Sequence, residues 1–176
     1  MNKLFLEFNP GELDYSELLN QIKQQKIAAL YIGAYSAESA LIVRQARDAG
    51  IKFQVVSGDS LHNTDFWLIA GEASNQALFT FDIDPRTRPE AKILVERFRQ
   101  DGYEPEGYTL HTYAAIQVWA AAVSEAETLD HDTVVKVMHQ KNFKTVLGSL
   151  SFDLKGDLNQ HDYAWYRWQA GKPVKQ

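Results

Sequence analysis

The spacing of apolar and polar residues changes several times along the chain, and each change predicts an element. KLFLEF at 3–8 alternates every second residue, as a strand does, and NPGE then breaks it. In DYSELLNQIKQQ, Leu18, Leu19 and Ile22 form one helical stripe; Asp14 is the expected N-cap and Glu17 completes a capping box. IAALYIG at 27–33 is apolar throughout, the pattern of a strand covered on both faces. In the helix that follows, Ser36 is placed to cap, Leu41, Ile42 and Ala46 face inward, and Gly50 suits the position just past the end. KFQVVS (52–57) predicts the next strand, a short helix lies around 66–69, and ALFTFDI (77–83) is again a strand. Strands separated by helices predict an α/β fold, a parallel sheet with flanking helices and right-handed crossovers.

The order changes at DPRTRPE. Pro85 and Pro89 bracket a loop, and Pro89 suits the first turn of a helix carrying Ala91, Ile93, Leu94 and Phe98 as far as Gly102. A long apolar helix is expected at about 109–128, around YAAIQVWAAAV, and another near 133–140. Three helices without a strand cannot continue the first layer, so they need another surface to cover. After Gly148 the pattern is β again. SLSFDLKGDL holds a Lys-Gly-Asp turn, and DYAWYRWQAGKPV alternates like an antiparallel or edge strand that turns at Gly171.

Composition narrows the chemistry. The 176 residues are 45% hydrophobic and 23% charged, which is ordinary for a soluble globular chain. Eighteen basic against 23 acidic residues give a net charge of −5, and no long basic run occurs, so no nucleic-acid partner is expected. Without cysteine there is no disulfide, thiolate metal site or cysteine nucleophile. No segment approaches the roughly 18 apolar residues of a membrane span. The opening MNKLFLEF is too short for a signal-peptide core, so no export address is expected in this sequence. His62, His111, His131, His139 and His161 show neither HxH nor HExxH spacing, and GxGxxG and Walker patterns are missing, so no metal and no cofactor are expected.

Ligands of open α/β sheets bind beyond the carboxyl ends of the strands. Tyr35 follows one predicted strand and Asp59 the next. A ring supplies contact area at low entropic cost, and a carboxylate is a partner for a cation. On spacing alone the plainer alternative stays open: Tyr35 plugs a loop and Asp59 caps the short helix. GDSL at 58–61 also matches the motif of serine esterases, in which Ser60 would be the nucleophile. Such an enzyme needs a histidine base and an acid, and DLNQH at 157–161 has the wrong spacing for them. DLKGDLN at 153–159 lacks the last acidic ligand of a calcium loop and reads as a β-turn. Trp165, Tyr166 and Trp168 in a late strand could line a cleft, and packing against helices is the plainer account.

Three longer stretches add up to a family. DYSELLNQIKQQKIAALYIGAYSAESALIVRQARDAGIKFQVVSGDSL, HTYAAIQVWAAAV and VLGSLSFDLKGDL resemble the periplasmic substrate-binding proteins of branched-chain amino acid ABC transporters, the type I, Leu/Ile/Val-binding kind. The resemblance runs from about Leu13 to Gln169 and matches only the C-terminal half of such a receptor. It implies a solute-binding module with no enzymatic chemistry, in which two α/β lobes close on an amino acid or similar small solute. Residues 1–84 and 149–176 would belong to the second lobe, and 85–148 would be a helical piece of the first. It implies a periplasmic location and a transporter permease as partner of the full receptor. The family's cleft tyrosine after Y-x-G-x-Y falls on Tyr35, beside Ser36. Its acid for the solute ammonium falls on Asp59, where the family more often has Glu. A further cleft tyrosine falls on Tyr108. Helices lacking their parent sheet, and an unpaired edge at 3–8, would favour self-association.

Overall fold

The computed structural model describes residues 4–160 and 162–176. In chain order its elements are α1 (Ser16–Gln24), β1 (Ala29–Ile32), α2 (Ser36–Asp48), β2 (Gln54–Ser57), α3 (Thr64–Ala70), β3 (Leu78–Asp82), α4 (Lys92–Gln100), α5 (Thr109–Ala126), α6 (His131–Gln140), β4 (Phe143–Thr145), β5 (Gly148–Leu150), β6 (Tyr163–Gln169) and β7 (Lys172–Lys175). The chain divides into two compact units. The first comprises 1–81 and 163–176, the second 82–162.

In the first unit the sheet order is β1-β2-β3-β6-β7. β1, β2 and β3 run parallel, with Tyr31 beside Val56, Ile32 beside Ser57, and Ser57 beside Phe79. β6 lies against β3 in the opposite sense: the Trp168 amide donates to the Ala77 carbonyl at 3.0 Å, and the Ile83 amide beyond the other end of β3 donates to the Asp162 carbonyl at 2.9 Å. β7 folds back on β6 through Gly171, whose φ of +80° favours a residue without a β-carbon.

Side-chain alternation sorts the sheet into two faces. Ile32, Val55, Phe79, Phe81, Tyr166 and Trp168 are buried against Leu19 and Ile22 of α1, Ala40, Ile42 and Val43 of α2, and Phe66 of α3. The register places Ala29, Tyr31 and Val56 on the other face, where Tyr31 is 68% exposed. The expectation that 27–33 is covered on both faces is therefore corrected: every second residue of β1 meets solvent. The alternating segment at the start also differs from expectation. Lys3 lies outside the described residues, and 4–8 form no strand, although Leu4, Leu6 and Phe8 pack against the core and Phe5 does not. α1 begins at Ser16 rather than just after Asp14. Tyr15 occupies the N-cap and is buried, its amide held by the Gln45 side chain of α2 at 2.8 Å, and Asp14 accepts the Ser16 amide instead.

The second unit holds two apolar clusters along α5. Leu110 and Ala114 pack with Ala91, Val95, Val146 and Leu147; Val118 and Ala122 pack with Val134 of α6 and Phe143 of β4. On other sides of the same helix Tyr113, Ile116 and Trp119 are exposed. β4 and β5 form an antiparallel hairpin, and Phe152 bridges to Leu158 around the Lys155-Gly156 turn. These contacts place 148–152 and Leu158 with the helices. The two compact units themselves divide at 81/82 and 162/163. An ion-pair network joins the start of this unit to the loop before α5: Arg86 meets Asp84 at 2.7 Å and Glu104 at 2.8 Å, and Arg99 meets Glu104 at 2.7 Å.

Candidate functional site

Two loops leave the carboxyl ends of β1 and β2 side by side, and serine hydroxyls stitch them together. The buried Ser57, the last residue of β2, donates to the Ile32 carbonyl at 2.7 Å. Ser60 donates to the Ala34 carbonyl, also at 2.7 Å. Ser36 donates in return to the Ser60 carbonyl. Each bond gives a partner to a carbonyl at or just beyond the end of a strand. Together they fix the two residues carried at the loop tips.

Those residues are Tyr35 and Asp59. Tyr35 is the N-cap of α2, with extended backbone (φ −71°, ψ 168°), and the residue is 76% exposed. Its carbonyl accepts the Ser39 amide at 3.1 Å, so the helix starts one residue earlier than a Ser36 cap would give. Ser36 is instead the first helical residue, and its hydroxyl serves the neighbouring loop. Asp59 opens a short 3-10 turn, Asp59–Leu61, and is exposed, while Leu61 beneath it is fully buried. The structure thus brings Tyr35, Ser36 and Asp59 to one rim of the first unit, as their places after consecutive strands suggested. A carboxylate and an exposed ring carried on neighbouring loops suit a cationic group attached to an apolar body.

Tyr108 lies in the second unit. It is the N-cap of α5, 48% exposed, and its ring meets His111 edge-on with centroids 5.4 Å apart. Ser60, the residue a GDSL esterase would use, has its hydroxyl committed to Ala34, a structural bond within the stitched rim. His161, in the segment weighed as its partner, lies outside the described residues. Among the described residues no cluster of three or more acidic or histidine side chains is arranged to hold a metal.

Sequence reasoning gave Tyr31 no role. Its ring lies along the same rim: Cε1 is 3.7 Å from where a β-carbon on Gly33 would sit, and the hydroxyl is 3.7 Å from that position on Gly58. The signal for it was the register of two parallel strands, which no single stretch of sequence displays.

Comparison with known proteins extends over nearly the whole chain. Residues 6–173 match the family model described as periplasmic binding protein. Leu/Ile/Val-binding protein homolog 1 of Brucella suis biovar 1 (strain 1330) is 43% identical over 173 residues, which is 98% of this chain and 47% of that protein. The Leu/Ile/Val-binding protein BraC3 of Rhizobium johnstonii is 32% identical, over 94% of this chain and 46% of its own length. Among solved structures, a leucine-binding protein from Thermotoga maritima superposes with a TM-score of 0.83 at 28% identity, covering 96% of this chain and 49% of that one. A branched-chain amino acid transporter substrate-binding protein from Streptococcus pneumoniae, solved in complex with isoleucine, gives 0.77 at 24% identity over 96% and 51%. The chain spans about half the length of the relatives it matches. Its parallel strands with flanking helices and the family match agree, and the chain belongs to the periplasmic binding protein family.

Proposed function

We propose that this chain supplies part of the solute-binding surface of a receptor for branched-chain or related amino acids, serving an ABC transporter in the periplasm. The observation that carries the reading is the exposed residue Asp59, held just past the carboxyl end of β2 on a rim braced by Ser36, Ser57 and Ser60. Asp59 would take the solute's ammonium group, and Tyr35, with Ser36 behind it, would cover its apolar body. Tyr108, in the other unit, is proposed as an additional aromatic contact, tested by its own variant. The names of the relatives support the amino-acid class, and the isoleucine complex belongs to a protein of the same fold. The transporter permease as partner, and self-association through exposed apolar residues, are parts of the same proposal; light scattering across a concentration series tests the second.

Thermal unfolding with leucine, isoleucine, valine and a panel of other amino acids tests the central claim. A solute at 100 times its dissociation constant adds about 2.7 kcal/mol. For a chain of this size that moves the midpoint by about 5–10 °C. Asp59→Ala should remove the shift, read against that variant's own unliganded midpoint. A variant that responds like the parent would show that Asp59 is not the acid, and a parent that responds to nothing would show that this chain does not bind solute by itself.

A further inference from the structure

The chain enters the second unit at Asp82 and leaves it at Asp162, so these residues mark the two segments that connect the units. They are tied to each other. The Ile83 amide donates to the Asp162 carbonyl at 2.9 Å, which pairs the segments through the backbone. One guanidinium then spans both. Arg88 Nη2 lies 3.0 Å from the Asp162 carboxylate and 3.7 Å from that of Asp82, while Nη1 donates to the Leu147 carbonyl at 3.2 Å. His111 at the start of α5 holds the other oxygen of Asp82 at 2.9 Å.

The sequence presets this reach. Arg88 stands between a 3-10 turn that begins at Pro85 and another that begins at Pro89. A residue before proline is driven out of the helical region, and Arg88 is extended at φ −72°, ψ 134°. Its amide is anchored to the Pro85 carbonyl at 3.2 Å, so few backbone rearrangements are open to it. A planar fork on a fixed stem suits two carboxylates on different segments better than a flexible lysine would. The side chains are only partly covered, at 24% exposure for Arg88, 20% for Asp82 and 48% for Asp162, so salt can reach them.

We propose that Arg88 is a clasp that makes the outgoing and returning segments flex as one strap rather than as two independent tethers. Arg88 is a positioning residue here, and the inference does not depend on the solute-binding reading. Amide hydrogen exchange of the whole chain tests it. In Arg88→Gln, the Ile83 amide should exchange roughly three- to tenfold faster, while the amides of Ala114 and Val118 in α5 keep the parent rate. Asp162→Asn should reproduce the effect, and the double variant should add little to either change alone, as expected for groups that share one interaction. About 1 M salt should move the parent towards the variant at Ile83. The clasp is refuted if Ile83 exchange is unchanged in Arg88→Gln, or if the acceleration is equal at Ala114 and Val118, which would mark general loosening of the unit.

Discussion

Ser60 donates its hydroxyl to the Ala34 carbonyl across a gap of 26 residues in sequence, at 2.7 Å. The bond joins the loop carrying Tyr35 to the loop carrying Asp59. Loss of a hydrogen bond of this kind costs about 1 kcal/mol, and more when the abandoned carbonyl is buried. Ser60→Ala should therefore lower the stability of the first unit by about 1 kcal/mol in urea titrations. It should also weaken any amino-acid response, because Asp59 loses its support. Ser57→Ala, which removes a buried hydroxyl, should cost at least as much.

The charge on Asp59 is separable from its shape. Asp59→Asn keeps the size and removes the charge. Loss of a charge-assisted contact costs about 2 kcal/mol, or roughly thirtyfold in affinity. Isothermal titration of parent and variant with the solute found by thermal screening measures this. Equal affinities would mean that the ammonium is held elsewhere.

Acid should weaken the second unit through Glu104. Its carboxyl is held below the usual carboxylate range, first by the hydrogen bond from Arg99 and then by Arg86, against an opposing effect of burial. A depressed folded value means that the contribution is fully present above the unfolded carboxylate value, near 4.3. It is then lost as pH falls through the lower folded value. Glu104 is partly exposed, so after allowance for screening the contribution is about 1 kcal/mol. Urea midpoints from pH 7 to pH 2.5 should fall less steeply in Glu104→Gln than in the parent. Parallel curves would show that the network adds nothing.

The aromatic cluster under the sheet should be the most sensitive part of the first unit. Phe79 is fully buried, stacks on Tyr166 at 5.5 Å between centroids and meets Trp168 at 6.4 Å. Phe79→Ala leaves a cavity that helices and sheet cannot close without moving, and should cost about 3–5 kcal/mol. Near-ultraviolet circular dichroism during urea unfolding reports it through the same rings. A cost below about 1 kcal/mol would mean that the cluster repacks.

The βα alternation, the long helix α5 and the turn at Gly171 are legible in the sequence because each rests on a local period or a local φ requirement. Residues 4–8 show the limit of that signal. Alternation at Leu4, Leu6 and Phe8 reports that one side faces a core, and it does so without a neighbouring strand. The start of α1 was displaced by tertiary packing, since burial of Tyr15 and its bond to Gln45 outweighed the capping preference of Asp14. At the rim, Tyr35 and Asp59 were legible from their places after strands. The hydroxyl stitching was not, because a serine between two loops has no periodic signature. The β4–β5 hairpin resembles the sheet strands in composition, and its packing against α5 and α6 has no local signature in the sequence.

The second unit interrupts the first, and this bears on the order in which a growing chain can fold. The sheet of the first unit receives β6 and β7 only after residues 82–162 have been made. Until then Phe79 and Phe81 lack Tyr166 and Trp168 as neighbours. Joining the ends of a slack segment that long would cost about 4 kcal/mol in chain entropy. An insertion that has already folded, with Ile83 bonded to Asp162, delivers β6 to the edge of β3 with most of that search completed. Synthesis would then finish the interruption before the last two strands complete the sheet.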